Sequence, residues 1–279
     1  MITNTLAEPR RNLVNLSALY SPNEKQLIFH RSRATYKLYG GAMGGGKTAA
    51  LINDGIQLSL DYPGNFGLLL RKTFPSFKNT VLPQIEKFLD RRLVQSWNKT
   101  EKLITFRNGS RILYGGLGDD PEDWQKYMSG EYGWIAIDQA EEFTEEEFKM
   151  FATRLRLRTR SRVAVARYFL LSCNPTVGWL KERFIENSLN DHEFISALPT
   201  DNLANLPGDY IEKMEEILDE KQQRSLLHGD WSSVGEPDNV FNYLDIERAM
   251  SWTKGKRYSI EELDPVEIGI DVARSGDDE

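Results

Sequence analysis

A chain of 279 residues, 40% hydrophobic and 28% charged, has the composition of a globular protein with a large core and is long enough for more than one domain. No apolar run approaches membrane-spanning length, and the polar stretch Met1 to Asn15 lacks the apolar centre of a signal peptide, so an intracellular protein that is not secreted is expected. The single cysteine, Cys173, excludes an internal disulfide and a cysteine-based metal site, the three histidines argue against zinc, and the net charge of −7 argues against a uniformly basic nucleic-acid surface while leaving room for a local one.

Residues Met1 to Tyr20 read as an arm or a first helix. In Ser21-Pro22-Asn23-Glu24-Lys25-Gln26, Ser21 suits an N-cap and Pro22 a first helical position, which predicts a helix from Pro22 to about His30. Gln26 on that helix either offers its amide to an adenine edge or faces solvent.

The apolar run Ala34 to Tyr39 predicts a strand and Ala49 to Leu60 a helix. Between them stands Gly40-Gly41-Ala42-Met43-Gly44-Gly45-Gly46-Lys47-Thr48, in which Gly41 to Thr48 fits the phosphate-binding pattern G-x-x-x-x-G-K-[ST]. Such a loop turns its backbone N–H groups onto an anion, which needs glycines at dihedral angles that a Cβ forbids. Lys47 would reach the β and γ phosphates of ATP, Thr48 would place its hydroxyl on Mg²⁺, and the helix N-terminus would face the same charge.

Asp61 to Asn65 is a turn, and Phe66 to Leu70 is an apolar run suited to a buried parallel strand, with Arg71-Lys72-Thr73 at its end. Ligands of open α/β sheets bind at strand carboxyl ends, so these cations serve phosphate or DNA, or are simply solvated. Asn79 to Leu93 reads as helical, and Lys102 to Phe106 with Arg111 to Tyr114, joined through Asn108-Gly109, as a β-hairpin.

Gly133 to Asp138 is a short apolar strand ending in an acid, placed to serve the metal's water shell or the hydroxyl on the metal. Many ATPases of this class carry a glutamate directly after that Asp to polarise the attacking water; here the position is Gln139. Glu141 and Glu142 follow, as catalytic carboxylates or as first-turn charges, with Thr144 capping the next helix. Arginines at 154, 156, 158, 160 and 162 form the densest basic cluster, either solvated or in contact with DNA or a neighbouring subunit's nucleotide.

Val163 to Ser172 reads as a strand ending in Ser172-Cys173-Asn174-Pro175, whose Ser172 and Asn174 are candidate sensors of the γ-phosphate or merely a strand-to-loop junction. Trp179 to Asn190 reads as helical and His192 to Leu198 as extended. From Asn205 onward, helices over Tyr210 to Glu220 and to about His228, closed by Gly229-Asp230-Trp231, suggest a small appended subdomain. Ser232 to Asp238 and Lys254 to Asp264 look like linkers, and Val266 to Ala273 is a fresh strand carrying Asp271, which suggests a longer natural polypeptide.

Taken together, Pro22 and Gln26, Gly41 to Thr48, Arg71-Lys72-Thr73, Trp134 to Glu142, Arg154-Leu155-Arg156, Ser172 to Pro175, Gly229-Asp230-Trp231 and Gly269-Ile270-Asp271 make the chain resemble the large terminase subunit of tailed bacteriophages, which packages DNA into a prohead. The resemblance implies an α/β P-loop ATPase of the additional-strand class over residues 1–200, with a mainly parallel sheet flanked by helices. It further implies a helical lid or linker subdomain over 201–264 and, over 265–279, the first strand of a truncated RNase H-like nuclease in which Asp271 is the first metal ligand. Without the remaining carboxylates no DNA cleavage is expected.

By the same likeness ATP sits between Gln26, the loop and Mg²⁺ held by Thr48 and Asp138, and Arg71, Arg154, Arg156 and Arg158 are candidates for an arginine finger or DNA contact. The implied partners are double-stranded DNA, the portal and prohead, the small terminase subunit and further copies in a ring, with a monomer in isolation, no membrane, and the cytoplasm of an infected bacterium as the setting. Alternatives are another P-loop translocase or helicase, and a nucleotide-dependent portal-docking module with little hydrolysis. Four residues depart from the family pattern: Met43 stands where a basic residue is common, Gln139 where Glu is common, and Lys126 and Met128 where a trans-acting arginine precedes the acidic strand. For the catalytic carboxylate, Glu142 is preferred slightly over Glu141.

Overall fold

The computed structural model describes residues 19–118, 121–158, 165, 167–187 and 189–234. The linker-like residues from 235 onward, the strand from Val266 to Ala273 with Asp271, and Arg160 and Arg162 lie outside them. The described residues belong to one compact unit.

Helix α1 (Glu24–Arg31) leads to β1 (Tyr36–Gly41), and the phosphate loop joins β1 to α2 (Lys47–Asp61). Then come β2 (Phe66–Arg71) and α3 (Phe74–Ser76), which runs through a π-turn into α4 (Leu82–Phe88). Strands β3 (Val94–Asn98), β4 (Leu103–Phe106) and β5 (Arg111–Gly116) follow, then α5 (Pro121–Met128) and β6 (Trp134–Ile137). Helix α6 (Glu145–Ala152), β7 (Tyr168–Cys173), α7 (Trp179–Lys181) with its π-turn, and β8 (His192–Ala197) complete the sheet region. A 3₁₀ segment (Pro199–Asn205), α8 (Tyr210–Ile217) and α9 (Glu220–Gln222), extended by a π-turn to Leu227, close the described chain.

The eight strands form one sheet in the order β3-β4-β5-β2-β6-β7-β1-β8. From β5 to β8 neighbouring strands are parallel, whereas β3–β4 and β4–β5 are antiparallel. Every residue of β6 and β7 is buried, as expected for strands covered on both faces. One core layer takes Phe29 of α1, Leu51 and Ile56 of α2, and Ile85 of α4; the other takes Tyr127 of α5, Phe148 of α6 and Trp179 of α7. Gly67 is required where the Trp134 indole crosses β2, since a Cβ there would lie 2.0 Å from the ring. Among the described residues no helix is long and apolar enough to cross a membrane.

Several boundaries differ from expectation for local reasons. Helix α1 begins at Glu24 because Asn23, not Ser21, is the N-cap, in a capping box with Gln26. The helical segment expected from Asn79 starts at Phe74, where Thr73 caps it and Pro75 takes an early helical position, and ends at Phe88. The expected helix over Tyr210 to Glu220 stops at Ile217, because Asp219 caps a new helix. Strand β3 and helix α5 were not anticipated.

Candidate active site

The phosphate loop runs over the carboxyl end of β1. Gly44 and Gly46 have φ of 78° and 73°, the left-handed region open to glycine, and Gly46 is the residue from which α2 starts. Lys47 Nζ donates to the carbonyls of Gly41 (2.9 Å) and Ala42 (2.5 Å) and to Asn174 Oδ1 (3.0 Å). Burial holds its pKa below the usual lysine range, partly offset by the nearby carboxylates of Glu141 and Asp138. From outside, Asn202 Nδ2 donates to Gly44 O and Met43 N to Leu226 O, both at 2.7 Å, so residues beyond 200 brace the loop directly.

Gln26 is 2% exposed, so it does not face solvent. Its Oε1 accepts from Asn23 N (2.9 Å) and its Nε2 donates to Gly46 O (3.0 Å), which ties α1 to the loop. It also lines a cavity of about 480 Å³ with Tyr20, Gln84, Phe88, Asn202 and Asn205.

Asp138, at the carboxyl end of β6, is 3% exposed. Its Oδ1 accepts from Thr48 Oγ1 (2.8 Å) and Ser172 Oγ (2.7 Å), while Oδ2 lies 3.8 Å from Arg71 Nε. Arg71, the last residue of β2, is buried; its Nη1 donates to Thr80 Oγ1 (2.5 Å) and its Nε makes no hydrogen bond beyond the ion pair with Asp138.

Gln139 adopts φ +56°, reversing the chain into a 3₁₀ turn over Ala140–Glu142, and its backbone N donates to Ser172 Oγ (3.2 Å). This turn sends the two adjacent glutamates into different environments. Glu141 Oε1 accepts from both Asn174 N (3.1 Å) and Asn174 Nδ2 (3.0 Å), and Oε2 is buried without a partner. Burial pushes Glu141 up to about 7. Glu142, the slightly preferred candidate for the catalytic carboxylate, is exposed, whereas Glu141 is held against Asn174 beside the loop.

A second cavity, about 320 Å³, is lined by Met43 to Ala49 together with Arg71, Thr80, Gln84, Asp138, Gln139, Ser172 and Asn174. The sequence reading missed Thr80, Gln84 and Asn202, polar residues in segments without a motif. Among the described residues no group of three His, Cys, Asp or Glu side chains is placed to hold a metal. A magnesium ion fits the pair found here, because it keeps most of its waters and takes one or two protein ligands beside the phosphates.

Residues 33–228 match the family described as phage terminase large subunit. The chain belongs to that family. Its fold is similar to the large terminase of a thermophilic bacteriophage, at 16% identity and a TM-score of 0.65 over 76% of this chain and 54% of that one. A second structure of that phage's large terminase, in complex with ATP-gamma-S, matches at 14% identity and a TM-score of 0.62, over 75% of this chain and 52% of that one. The large terminase ATPase domain of Thermus phage P74-26 matches at 15% identity and 0.58, over 78% of this chain and 96% of that one. This terminase chain therefore spans about half the length of the first two relatives. No curated protein matches.

Within this terminase fold, β7 lies between β1 of the phosphate loop and β6 of Asp138, which is the additional strand of the expected class. Arg154, Arg156 and Arg158 are not near the loop: Tyr132 N donates to Arg154 O (2.8 Å) and Leu157 N to Tyr132 O (3.1 Å), at the amino end of β6. The strand length separates these three from Asp138 within the chain, so the candidates for arginine finger or DNA contact divide between Arg71 beside the loop and Arg154, Arg156 and Arg158 at the far end of β6. Lys126 Nζ donates to Glu101 O (3.4 Å) and Met128 is buried.

Proposed function

We propose that the chain is the ATP-hydrolysing motor portion of a DNA-packaging terminase, coupling Mg–ATP hydrolysis to movement of double-stranded DNA into a prohead. The observation that carries this reading is the pairing of Thr48 with Asp138 at 2.8 Å beside Glu141, whose second carboxylate oxygen is buried without a partner. A magnesium ion would be held by the Thr48 hydroxyl and, through its water shell, by Asp138, and when bound it supplies charge neutralisation for the β and γ phosphates. Lys47 would exchange its carbonyl and Asn174 contacts for phosphate oxygens. Ser172 keeps Asp138 oriented, and Glu141 takes the proton of the attacking water. Arg71, buried beside Asp138 and lining the same cavity as Lys47, is a second cation placed where phosphoryl charge develops.

Family membership and the structures of relatives in complex with ATP-gamma-S and ADP support the nucleotide assignment. We assign residues 1–200 to the ATPase, 201–264 to a lid or linker, and 265–279 to a strand of RNase H-like nuclease type. The partners that fit are double-stranded DNA, a portal and prohead, a small terminase subunit and further copies in a ring, in the cytoplasm of an infected bacterium. The test is ATP turnover with and without double-stranded DNA, beside Lys47→Ala. Turnover stimulated by DNA and lost in the variant is expected; turnover that survives Lys47→Ala overturns the reading.

A further inference from the structure

We infer that the amino ends of the central strands form the surface that holds the phosphate backbone of double-stranded DNA, on the opposite edge of the sheet from the nucleotide. This inference rests on the DNA-motor reading above and gives it a location.

Strand β5 opens with Arg111, which is exposed and stacks its guanidinium 4.4 Å from the centre of the Phe66 ring at the start of β2. Phe66 in turn lies 5.0 Å from Tyr132, just ahead of β6, whose backbone carries the 154–157 segment through the two hydrogen bonds already described. Arg156 and Arg158 project from that segment and are exposed. Arg167, also exposed, precedes β7. Arginines therefore stand at the amino ends of β5, β6 and β7, with Arg111 reaching over β2 through its stack on Phe66, a span of about 14 Å at the usual strand spacing. One strand of B-DNA advances about 3.4 Å per phosphate, so a row of this length faces about four phosphates.

Charge chemistry favours nucleic acid over an acidic protein. The row is made of arginine, whose planar fork matches phosphate oxygens in a bidentate way. Its carboxylate neighbour Glu131 pairs with Arg156 at 3.2 Å, but the two side chains are 51% and 55% exposed, so that ion pair is weak and exchangeable. Arg154 Nε is buried without a partner, which adds a fixed cation behind the row. Toward β8 the edge turns acidic at Asp191 and Glu193, which bounds the surface. In a chain of net charge −7 the rest of the molecule repels a polyanion, so this edge would be selected by the field as well as by contacts. The strands are about 20 Å long at about six residues each, so bound DNA and nucleotide would not share ligands.

The test combines Arg111→Gln, Arg156→Gln, Arg158→Gln and Arg167→Gln in the full chain and measures binding of a short labelled duplex by fluorescence anisotropy across a salt series. Affinity is expected to fall at least about tenfold, and the slope of log K against log salt to drop by about 0.9 for each phosphate contact removed. The matching set of Arg→Lys changes, which keeps the charge, is expected to retain most of the slope and so separates contact loss from misfolding. Lys47→Ala is expected to lose ATP turnover while keeping duplex affinity, so failure of the nucleotide reading is distinguishable from failure of this one. The inference is overturned by wild-type affinity and slope in the glutamine variant, by an affinity loss with no change of slope, or by arginine-dependent capture of polyglutamate with no binding of duplex.

Discussion

Asn174 donates twice to the same oxygen of Glu141, from its backbone N at 3.1 Å and its side-chain Nδ2 at 3.0 Å, and so leaves the other oxygen free to act while fixing where it points. The same Asn174 accepts from Lys47 through Oδ1. If Glu141 polarises the attacking water, Glu141→Gln should keep the Asn174 contacts and nucleotide affinity but lower turnover by about 10²- to 10⁴-fold, the usual contribution of a general base. Glu142→Gln, on the exposed neighbour, should stay within about twofold. Phosphate-release kinetics beside equilibrium nucleotide binding checks both, and equal loss in the two variants would sink the assignment.

A carboxyl group raised by burial to about 7 has two pH consequences. The base form is populated only as pH rises through about 7, so kcat/KM for ATP should show an acid limb there. For stability the sign is opposite. Below the ordinary carboxyl pKa of 4.5 the group is protonated in both folded and unfolded chains and costs nothing; as pH rises to about 7 the unfolded chain releases the proton first and the fold loses stability. Glu141→Gln should therefore be more stable than wild type above pH 7 by about 1–3 kcal/mol and equal to it at low pH, as urea unfolding at the two extremes would show.

What was legible in the sequence was what short range determines. The phosphate loop, the strand ending in Asp138 and the Thr144 cap of the next helix are each written within a few consecutive residues, and the structure reproduces their local geometry. The different environments of Glu141 and Glu142 were not legible, and the slight preference for Glu142 had no structural basis, because they depend on the left-handed Gln139 and on Asn174, far away in sequence. Strand β3 was hidden because it is an edge strand with no fully buried residue, so no apolar alternation marks it. Arg71 and the 154–158 arginines look alike as strand-end cations, and only the sheet topology sends them to opposite edges.

Lys37 gave no signal either, since a lysine inside a strand normally faces water. It is 0% exposed, donating to Asp54 Oδ2 (2.8 Å) and Phe29 O (3.1 Å) with the Phe29 and Tyr168 rings each 4.7 Å away. Asp54 also meets His30 Nδ1 at 3.1 Å, so this network ties α1 and α2 to the strand that feeds the phosphate loop. Asp54→Ala would strand a buried ammonium and should cost about 3–5 kcal/mol in urea unfolding. The double change Lys37→Met with Asp54→Leu should cost clearly less than Asp54→Ala alone; an additive result would argue against coupling.

Arg71 decides whether hydrolysis uses a cation from its own chain. Its guanidinium is buried on the loop cavity, held by Thr80, with Nε 3.8 Å from Asp138 Oδ2 and making no hydrogen bond. A cation so placed needs no neighbour to approach the nucleotide. Arg71→Gln should lower turnover by about 10²-fold or more through lost transition-state charge stabilisation, with a much smaller change in nucleotide affinity. The direction of action follows from mixing. If Arg71 serves its own site, combining Arg71→Gln chains with Glu141→Gln chains should give no recovered turnover, because every site retains one defect. If it serves a neighbour's site, a Glu141→Gln chain would donate its intact Arg71 across the junction and part of the activity would return. Recovery on mixing would therefore reassign Arg71 to the subunit interface.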